Sequence, residues 1–318
     1  DAARIGRIGL RSLLLTLVLS GTAVGIGLLA VNVVRPGDHI SEPERARIVQ
    51  LYAKPDEAAK NVQQSQEAKS FANTVVELVP RNPLQSAVEA MTGGLLPFMV
   101  FALIFGIALA SLPAETVGGL KSVFEGLFAV SQKIIEFAMK LAPIGVFGLV
   151  FSTAATLGWS ALQALGSYAL LVLATLAFHQ FVVYSLALRY VAKRDPLAFF
   201  HSIRTVMLTA FATASSNATL PTALKTAEEE VGLPRNISSF VLTVGATANQ
   251  NGTALFEGIT ILFLAQFFGV DLTLGQQLTV MLLAIVAGVG TAGVPGGAWP
   301  MIAVILIKIG VPPEAIGI

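Results

Sequence analysis

An all-α membrane fold with many passes is what this sequence predicts, and three observations carry the prediction. Hydrophobic residues make up 54% of the 318 positions and Asp, Glu, Lys and Arg only 12%, against a usual charged share of about 25%. Mean hydropathy is +0.75. A soluble chain so poor in charge would not cover its own surface. Second, charge-free runs of 23 residues (Ser12–Val34) and 36 residues (Leu272–Ile307) occur, far longer than the roughly 10 residues of a barrel strand, so helices do the spanning. Third, the later apolar runs are interrupted by Gly, Ser, Thr and Asn in a way that suits re-entrant hairpins rather than plain spans.

The remaining composition excludes other classes. A net charge of +1 leaves no nucleic-acid footprint. Cysteine is absent, so disulfides, thiolate nucleophiles and Cys metal sites are excluded. His39, His179 and His201 are scattered, with no HExxH-like pair.

Ser12–Val34 follows Arg4, Arg7 and Arg11. It exceeds the roughly 7–15 residues of a signal-peptide core and no A-x-A site follows, so it reads as a spanning helix. From Pro36 to about Asn82 the chain turns polar and mixed in charge, which reads as an extramembrane insertion. Ala90–Ala114 is again charge-free, with Gly93-Gly94 at its start and Pro97 inside. Leu120–Leu141 intersperses Lys121, Glu125, Lys133, Glu136 and Lys140 with apolar residues, an amphipathic pattern suited to an interface or a protein contact. Pro143 opens an apolar segment to Leu157, Gly158-Trp159-Ser160 marks a break, and Ala161–Leu188 spans again. Trp159 and Trp299 read as interface or packing aromatics. The start at Asp1 and the stop at Ile318, where a new apolar segment begins, read as cut ends.

Thr205–Leu224 carries no charge yet is full of Thr, Ser and Asn, and reads as a hairpin with its tip at Ser215-Ser216-Asn217-Ala218-Thr219-Leu220-Pro221. Leu272–Ile307 is longer than the roughly 20 residues a span needs, and holds five glycines and a proline at Gly288–Gly297. It reads as a second hairpin. Irregular backbone at membrane depth survives only when buried in protein or lining a water-filled cavity. Two hairpins, each followed by a helix, suggest an internal repeat with a site between the tips. With the Arg4–Arg7–Arg11 end in the cytoplasm, Arg189, Lys193, Arg194, Arg204, Lys225 and Arg235 also fall inside, in keeping with the positive-inside rule.

Gly245-Ala246-Thr247-Ala248-Asn249-Gln250-Asn251-Gly252-Thr253 is the densest polar island. Polar groups and Gly in a spanning helix are costly unless they pair or work. Gly252 would let the helix unwind, and freed carbonyls with Asn and Thr oxygens suit a small hard cation such as Na⁺; the alternative is a polar helix–helix contact. The Ser215-Ser216-Asn217 tip offers hydroxyls, an amide and backbone N–H groups suited to an anion if helix N-termini point there, the alternative being close packing of small residues. Gly288–Gly297 has almost no side-chain chemistry and reads as a mobile gate. Glu257 is the one acid between Ile237 and Val270, a proton-relay candidate at membrane depth, or else an interfacial or paired acid. His179 reads as a helix-packing histidine.

These motifs resemble the dicarboxylate/amino acid:cation symporters, the glutamate transporter homologues. Ser215-Ser216-Asn217-Ala218-Thr219-Leu220-Pro221 is similar to that family's serine-rich first tip, and Asn249-Gln250-Asn251-Gly252-Thr253 to its Asn-Met-Asp-Gly-Thr motif. Gly290-Thr291-Ala292-Gly293-Val294-Pro295-Gly296 is similar to its second tip, and Ala142–Phe147 and Leu274–Leu278 also match. The resemblance covers essentially the whole chain. It implies a glutamate-transporter-like fold with two re-entrant hairpins, a broken seventh helix and inverted repeats. It implies a non-enzymatic multi-pass protein of the inner (plasma) membrane, a homotrimer in the lipid bilayer that moves a small-molecule substrate by an elevator mechanism, without an organic cofactor.

On the same basis, residues 1–35 form the third spanning helix of a transport domain. Residues 36–158 form an insertion plus the fourth and fifth helices of a trimerisation scaffold. Residues 159–318 carry the sixth helix, first hairpin, seventh helix, second hairpin and the start of the eighth helix. The first two helices, and the eighth-helix Asp and Arg that grip substrate in the family, fall outside the sequence. The substrate set carried over is Ser215, Ser216, Asn217 and Thr253, with Val294, Pro295 and Gly296. Na⁺ is the coupling ion, held by Gly245, Thr247, Asn249, Gln250, Asn251, Gly288, Val289 and Thr291. Two departures matter: the motif's Asp is Asn251 and its Met is Gln250. The family's third Na⁺ site joins that Asp to positions matching Thr16, Leu19 and Ser20. A dehydrated Na⁺ without a carboxylate is poorly compensated, so fewer Na⁺ per substrate are expected. Glu257 falls where proton-coupled members carry a Glu. The expected function is symport of an acidic amino acid or C4-dicarboxylate with Na⁺, with H⁺ as a second coupled ion. The alternatives are a neutral amino acid:Na⁺ symporter, an ion channel or an intramembrane hydrolase, the last lacking a base near Ser215 or Ser216.

Overall fold

A computed structural model describes residues 2–40, 80, 82–88, 95–157, 159–290 and 298–311. Every regular element among them is helical. Helix α1 (Ala2–Val34) ends in a 3₁₀ turn at Pro36–His39. Then come α2 (Pro83–Val88), α3 (Leu95–Ser111) and α4 (Ala114–Leu157). Helix α5 (Trp159–Phe178) continues through π-helical turns at His179–Val183 and Ala187–Val191. The later helices are α6 (Pro196–Ser202), α7 (Arg204–Thr213), α8 (Ser216–Glu229), α9 (Arg235–Ala248), α10 (Asn251–Phe267), α11 (Leu274–Gly290) and α12 (Trp299–Lys308). Arg7–Asp38, Phe137–Thr156 and Leu162–Val191 are long and apolar enough to cross a membrane, in line with the spans read from the sequence.

The chain divides into two compact units, one of Asp1–Val49 with Gly158–Ile302, the other of Gln50–Leu157 with Ala303–Ile318. The first has α10 at its centre. That helix is mostly apolar, with its few polar residues scattered around it, and is buried over nearly its whole length, as a helix without a single polar face must be. It packs on α1, α5 and α11. Small residues set the closest approaches. A methyl group on Gly27 would stand 3.0 Å from Ile259 Cγ1, and one on Gly258 would stand 3.1 Å from Val24 Cγ1; small side chains at such crossings are the usual means of bringing membrane helices together. Tyr168 of α5 stacks on Phe263, with ring centroids 4.5 Å apart, and its hydroxyl bonds Thr260 Oγ1 at 2.8 Å. On α11 the buried Val280, Leu283, Ala284 and Ala287 recur at helical spacing.

The turn after α1, where the sequence reading opens an extramembrane insertion, packs into the first unit: Pro36, Gly37 and Ile40 are buried there. A Cβ on Gly37 would lie 2.6 Å from both Gln266 Cβ and Phe267 N. Gln266 reaches across to this turn, donating to Val31 O at 3.2 Å and accepting from Gly37 N at 3.4 Å. The insertion's residues 41–79 lie outside the described residues.

The second unit contains α4, one continuous helix of 44 residues. The sequence suggested two segments meeting at Pro143. The helix instead runs through that proline, which forfeits a single backbone bond that neighbours in a long membrane helix help absorb. Along α4, Lys121 pairs with Glu125 at 3.7 Å, and Lys133 and Lys140 lie over the Phe137 ring. Gly93-Gly94 lies outside the described residues.

Candidate functional site

Two breaks in helical backbone, both in the first unit, create the site. The first separates α7 from α8. It is narrower than the seven-residue tip read from the sequence, because only Ala214 and Ser215 are non-helical. Asn217–Pro221 lie in the opening turns of α8, and Pro221 sits inside the helix, where it forfeits the bond its N–H would otherwise make to Asn217 O. Ala214 takes the left-handed conformation, φ 46°, that commonly ends a helix. Ser215 caps α8, its Oγ accepting from Ala218 N at 3.2 Å. Thr219 donates through Oγ1 to Ser215 O at 2.8 Å, and Ser215 N donates to Thr213 Oγ1 at 3.3 Å. The N–H groups of Ser216 and Asn217, left over at the helix start, carry the positive end of the helix dipole.

The second break lies between α9 and α10. Gly252 does not unwind the chain, as had been expected; it lies in the first turn of α10. The non-helical residues are Asn249 (φ −117°, ψ 69°) and Gln250 (φ −103°, ψ 54°). Asn249 N donates to Gly245 O at 3.0 Å and Ala254 N to Gln250 O at 3.0 Å. Among the described residues the carbonyls of Thr247, Ala248 and Asn249 accept no hydrogen bond. Carbonyls left without a hydrogen bond are hard ligands for a small cation. Gly288 of α11 closes on this break: a Cβ there would stand 3.2 Å from the Gln250 carbonyl oxygen and 3.1 Å from Ala254 Cβ. The structure thus brings Gly288 to Gln250. Val289 continues α11, whereas Thr291, Val294, Pro295 and Gly296 lie outside the described residues.

The two breaks are joined. Gln250 Nε2 donates to Ser216 Oγ at 3.2 Å. Ser216, Asn217, Gln250 and Thr253 are half-buried, and Asn249 and Thr247 are exposed, so the seam is reachable from outside the fold.

Beneath it lies Asn251, 2% exposed. Its Oδ1 accepts from Ser20 Oγ of α1, and its Nδ2 donates to Tyr184 OH at 3.1 Å. Thr16 and Ser20 are both buried, one helical turn apart on α1. Tyr184 was missed in the sequence. It and His179 are five residues apart, which on an α-helix would place them on different faces, but the π-helical turn brings their rings to 4.9 Å, edge to face. His179 is buried, and neither ring nitrogen has a hydrogen-bond partner among the described residues. Glu257, six residues further along α10, is fully buried, and neither carboxyl oxygen has a hydrogen-bond partner among the described residues.

A profile of the sodium:dicarboxylate symporter family matches residues 1–318. The chain belongs to this family. It is 32% identical over 318 residues to the proton/sodium-glutamate symport protein of Bacillus subtilis, covering 99% of this chain and 71% of that one. It is 32% identical over 320 residues to the proton/glutamate-aspartate symporter of Escherichia coli, covering 99% and 70%. Excitatory amino acid transporter 3 of mouse is 34% identical over 220 residues, covering 69% and 42%. As a sodium:dicarboxylate symporter family member the chain is a membrane transporter, and its all-helical fold agrees.

Proposed function

We propose that this family member carries an acidic amino acid or C4-dicarboxylate into the cell, coupled to Na⁺ and also to H⁺. The observation that carries the reading is the joining of two unlike helix ends through Gln250 and Ser216. The N-terminus of α8 offers positive dipole and N–H groups to a carboxylate. The carbonyls at the end of α9 offer oxygen to a cation. Substrate and ion would then neutralise one another in a setting of low dielectric. Ser215, Ser216, Asn217 and Thr253, with Val294, Pro295 and Gly296, form the proposed substrate set. Gly245, Thr247, Asn249, Gln250, Gly288, Val289 and Thr291 form the proposed Na⁺ set. The names of the bacterial relatives support an acidic substrate; both pair glutamate with protons, and that of the Bacillus subtilis protein adds sodium.

Movement is proposed to follow an elevator scheme, with residues 1–35 and 159–318 as transport domain and 36–158 as scaffold. The compact unit of Asp1–Val49 and Gly158–Ile302 supports that division for 1–35 and 159–302, while Ala303–Ile318 cluster with the other unit. Assembly as a homotrimer in the plasma membrane fits the exposed apolar length of α4, which lipid or another copy would cover. Asn251 already engages Ser20 and Tyr184 with both ends of its amide and brings no formal charge, which supports fewer than three Na⁺ per substrate.

Uptake of radiolabelled L-aspartate, L-glutamate, succinate and L-alanine into proteoliposomes tests the reading. Na⁺-driven accumulation of an acidic substrate is expected. Accumulation of L-alanine alone would move the assignment to neutral amino acids, and ion flux without accumulation would make it a channel. Glu257→Gln is expected to flatten the dependence of uptake on pH, because a buried acid with no hydrogen-bond or ion-pair partner among the described residues is the natural proton carrier here. An unchanged pH profile would remove H⁺ coupling through Glu257.

A further inference from the structure

Gln250 holds a position between two acceptors. Its Nε2 donates to Ala246 O at 2.8 Å and to Ser216 Oγ at 3.2 Å. A backbone carbonyl only accepts, so the contact with Ala246 fixes which end of the Gln250 amide carries the N–H groups. The second N–H of the same group then falls on Ser216. The Ser216 hydroxyl has one proton and two lone pairs. Gln250 takes a lone pair, and no described residue accepts the proton.

A carboxylate is a pure acceptor, so it gains from a serine only when that serine donates. An unbridged hydroxyl turns freely and presents lone pairs as readily as its proton. We propose that the side-chain amide of Gln250 is a positioning residue for substrate selection, holding Ser216 as a hydrogen-bond donor toward a substrate carboxylate. The bridge reaches from the open end of α9 to the first residue of α8, so it also sets the spacing of cation seam and anion cradle. The proposed Na⁺ set includes Gln250 as a residue; the present inference concerns its side-chain amide.

The inference rests on the acidic-substrate reading above. A double-mutant cycle between Gln250→Met and Ser216→Ala, read as L-aspartate uptake in proteoliposomes at saturating Na⁺, tests it. Methionine keeps the length of the side chain and removes the donor. In the Ser216 background the substitution is expected to raise KM about tenfold with Vmax altered less than about twofold, the size of one hydrogen bond to a charged group. In the Ser216→Ala background it is expected to change KM less than about twofold, because no hydroxyl remains to be held. Equal effects in the two backgrounds would overturn the proposal, as would a loss confined to Vmax. If Gln250→Met does not insert, Gln250→Ala serves the same cycle with the same expectations. Wild-type protein that accumulates no acidic substrate would instead overturn the symport reading itself, and this inference with it.

Discussion

The two breaks in the first unit differ in how their backbone is satisfied. At Ala214–Ser215 the chain closes on itself: Ser215 caps α8, Thr213 bonds Ser215 N, and Thr219 bonds Ser215 O. At Asn249–Gln250 no side chain caps α10, and three successive carbonyls accept nothing among the described residues. The residues explain the difference. Ser and Thr have short side chains that reach their own backbone. Asn249 is exposed and Gln250 spends its amide elsewhere. A break that satisfies itself holds one shape and presents what is left over, here the leading N–H groups of α8. A break left open has groups to offer a ligand. The first is suited to be a fixed cradle and the second a seam that an ion completes.

The largest expected effect comes from closing the open seam. Gly288→Val places a branched side chain where even a methyl group would meet the Gln250 carbonyl at 3.2 Å. Overpacking of this kind costs about 1–3 kcal/mol, so the Na⁺ concentration for half-maximal uptake should rise by about tenfold or more. An unchanged Na⁺ curve would mean that the seam is not where Na⁺ binds. Next in size is Asn251. Asn251→Leu leaves the buried hydroxyl of Ser20 without its acceptor, at about 1–3 kcal/mol, takes a donor from the half-buried Tyr184 hydroxyl, and should lower the thermal unfolding temperature in detergent. Asn251→Asp supplies a carboxylate among Ser20, Thr16 and Tyr184 and is expected to raise the Na⁺:substrate ratio read from reversal potentials. A ratio that stays constant would show that charge at this position does not limit ion number.

The spans of α1 and α5 were legible because length without charge has one reading in a membrane protein. Both breaks were legible as polar islands, but their positions were not. The first tip was read too wide, because Asn217 and Pro221 look like turn residues, yet Asn217 falls in the first turn of α8 and the helix carries Pro221 inside it at the cost of one backbone bond. The second was placed on Gly252, although the unwinding falls on Asn249 and Gln250. Glycine permits unwinding without requiring it. Tyr184 was invisible because its approach to His179 depends on a π-helical turn, and neither residue carries a local signal for one. The burial of Pro36, Gly37 and Ile40 was hidden for a related reason: the composition turns polar there, while the contact is made by Gly37 and backbone. Side-chain patterns predict which segments enter the membrane; contacts made by backbone and by the absence of a side chain leave little trace in composition.

The smallest predicted effect separates the two jobs of the closed break. Ser215→Ala removes the cap of α8 and should destabilise the protein by about 1 kcal/mol, a shift of a few degrees in unfolding temperature. Ser215→Asp keeps an acceptor for Ala218 N and adds negative charge at a helix N-terminus, which the dipole favours. The unfolding temperature should therefore return to that of the native protein or exceed it. The same charge stands beside the N–H groups of Ser216 and Asn217, where a substrate carboxylate would sit, and like charges so placed repel. L-aspartate affinity should fall in Ser215→Asp even as stability recovers, measured as KM beside unfolding temperature. If stability and affinity rise together, α8 presents its N-terminus to the fold and not to a substrate, and the comparison between a fixed anion cradle and an open cation seam fails at its first half.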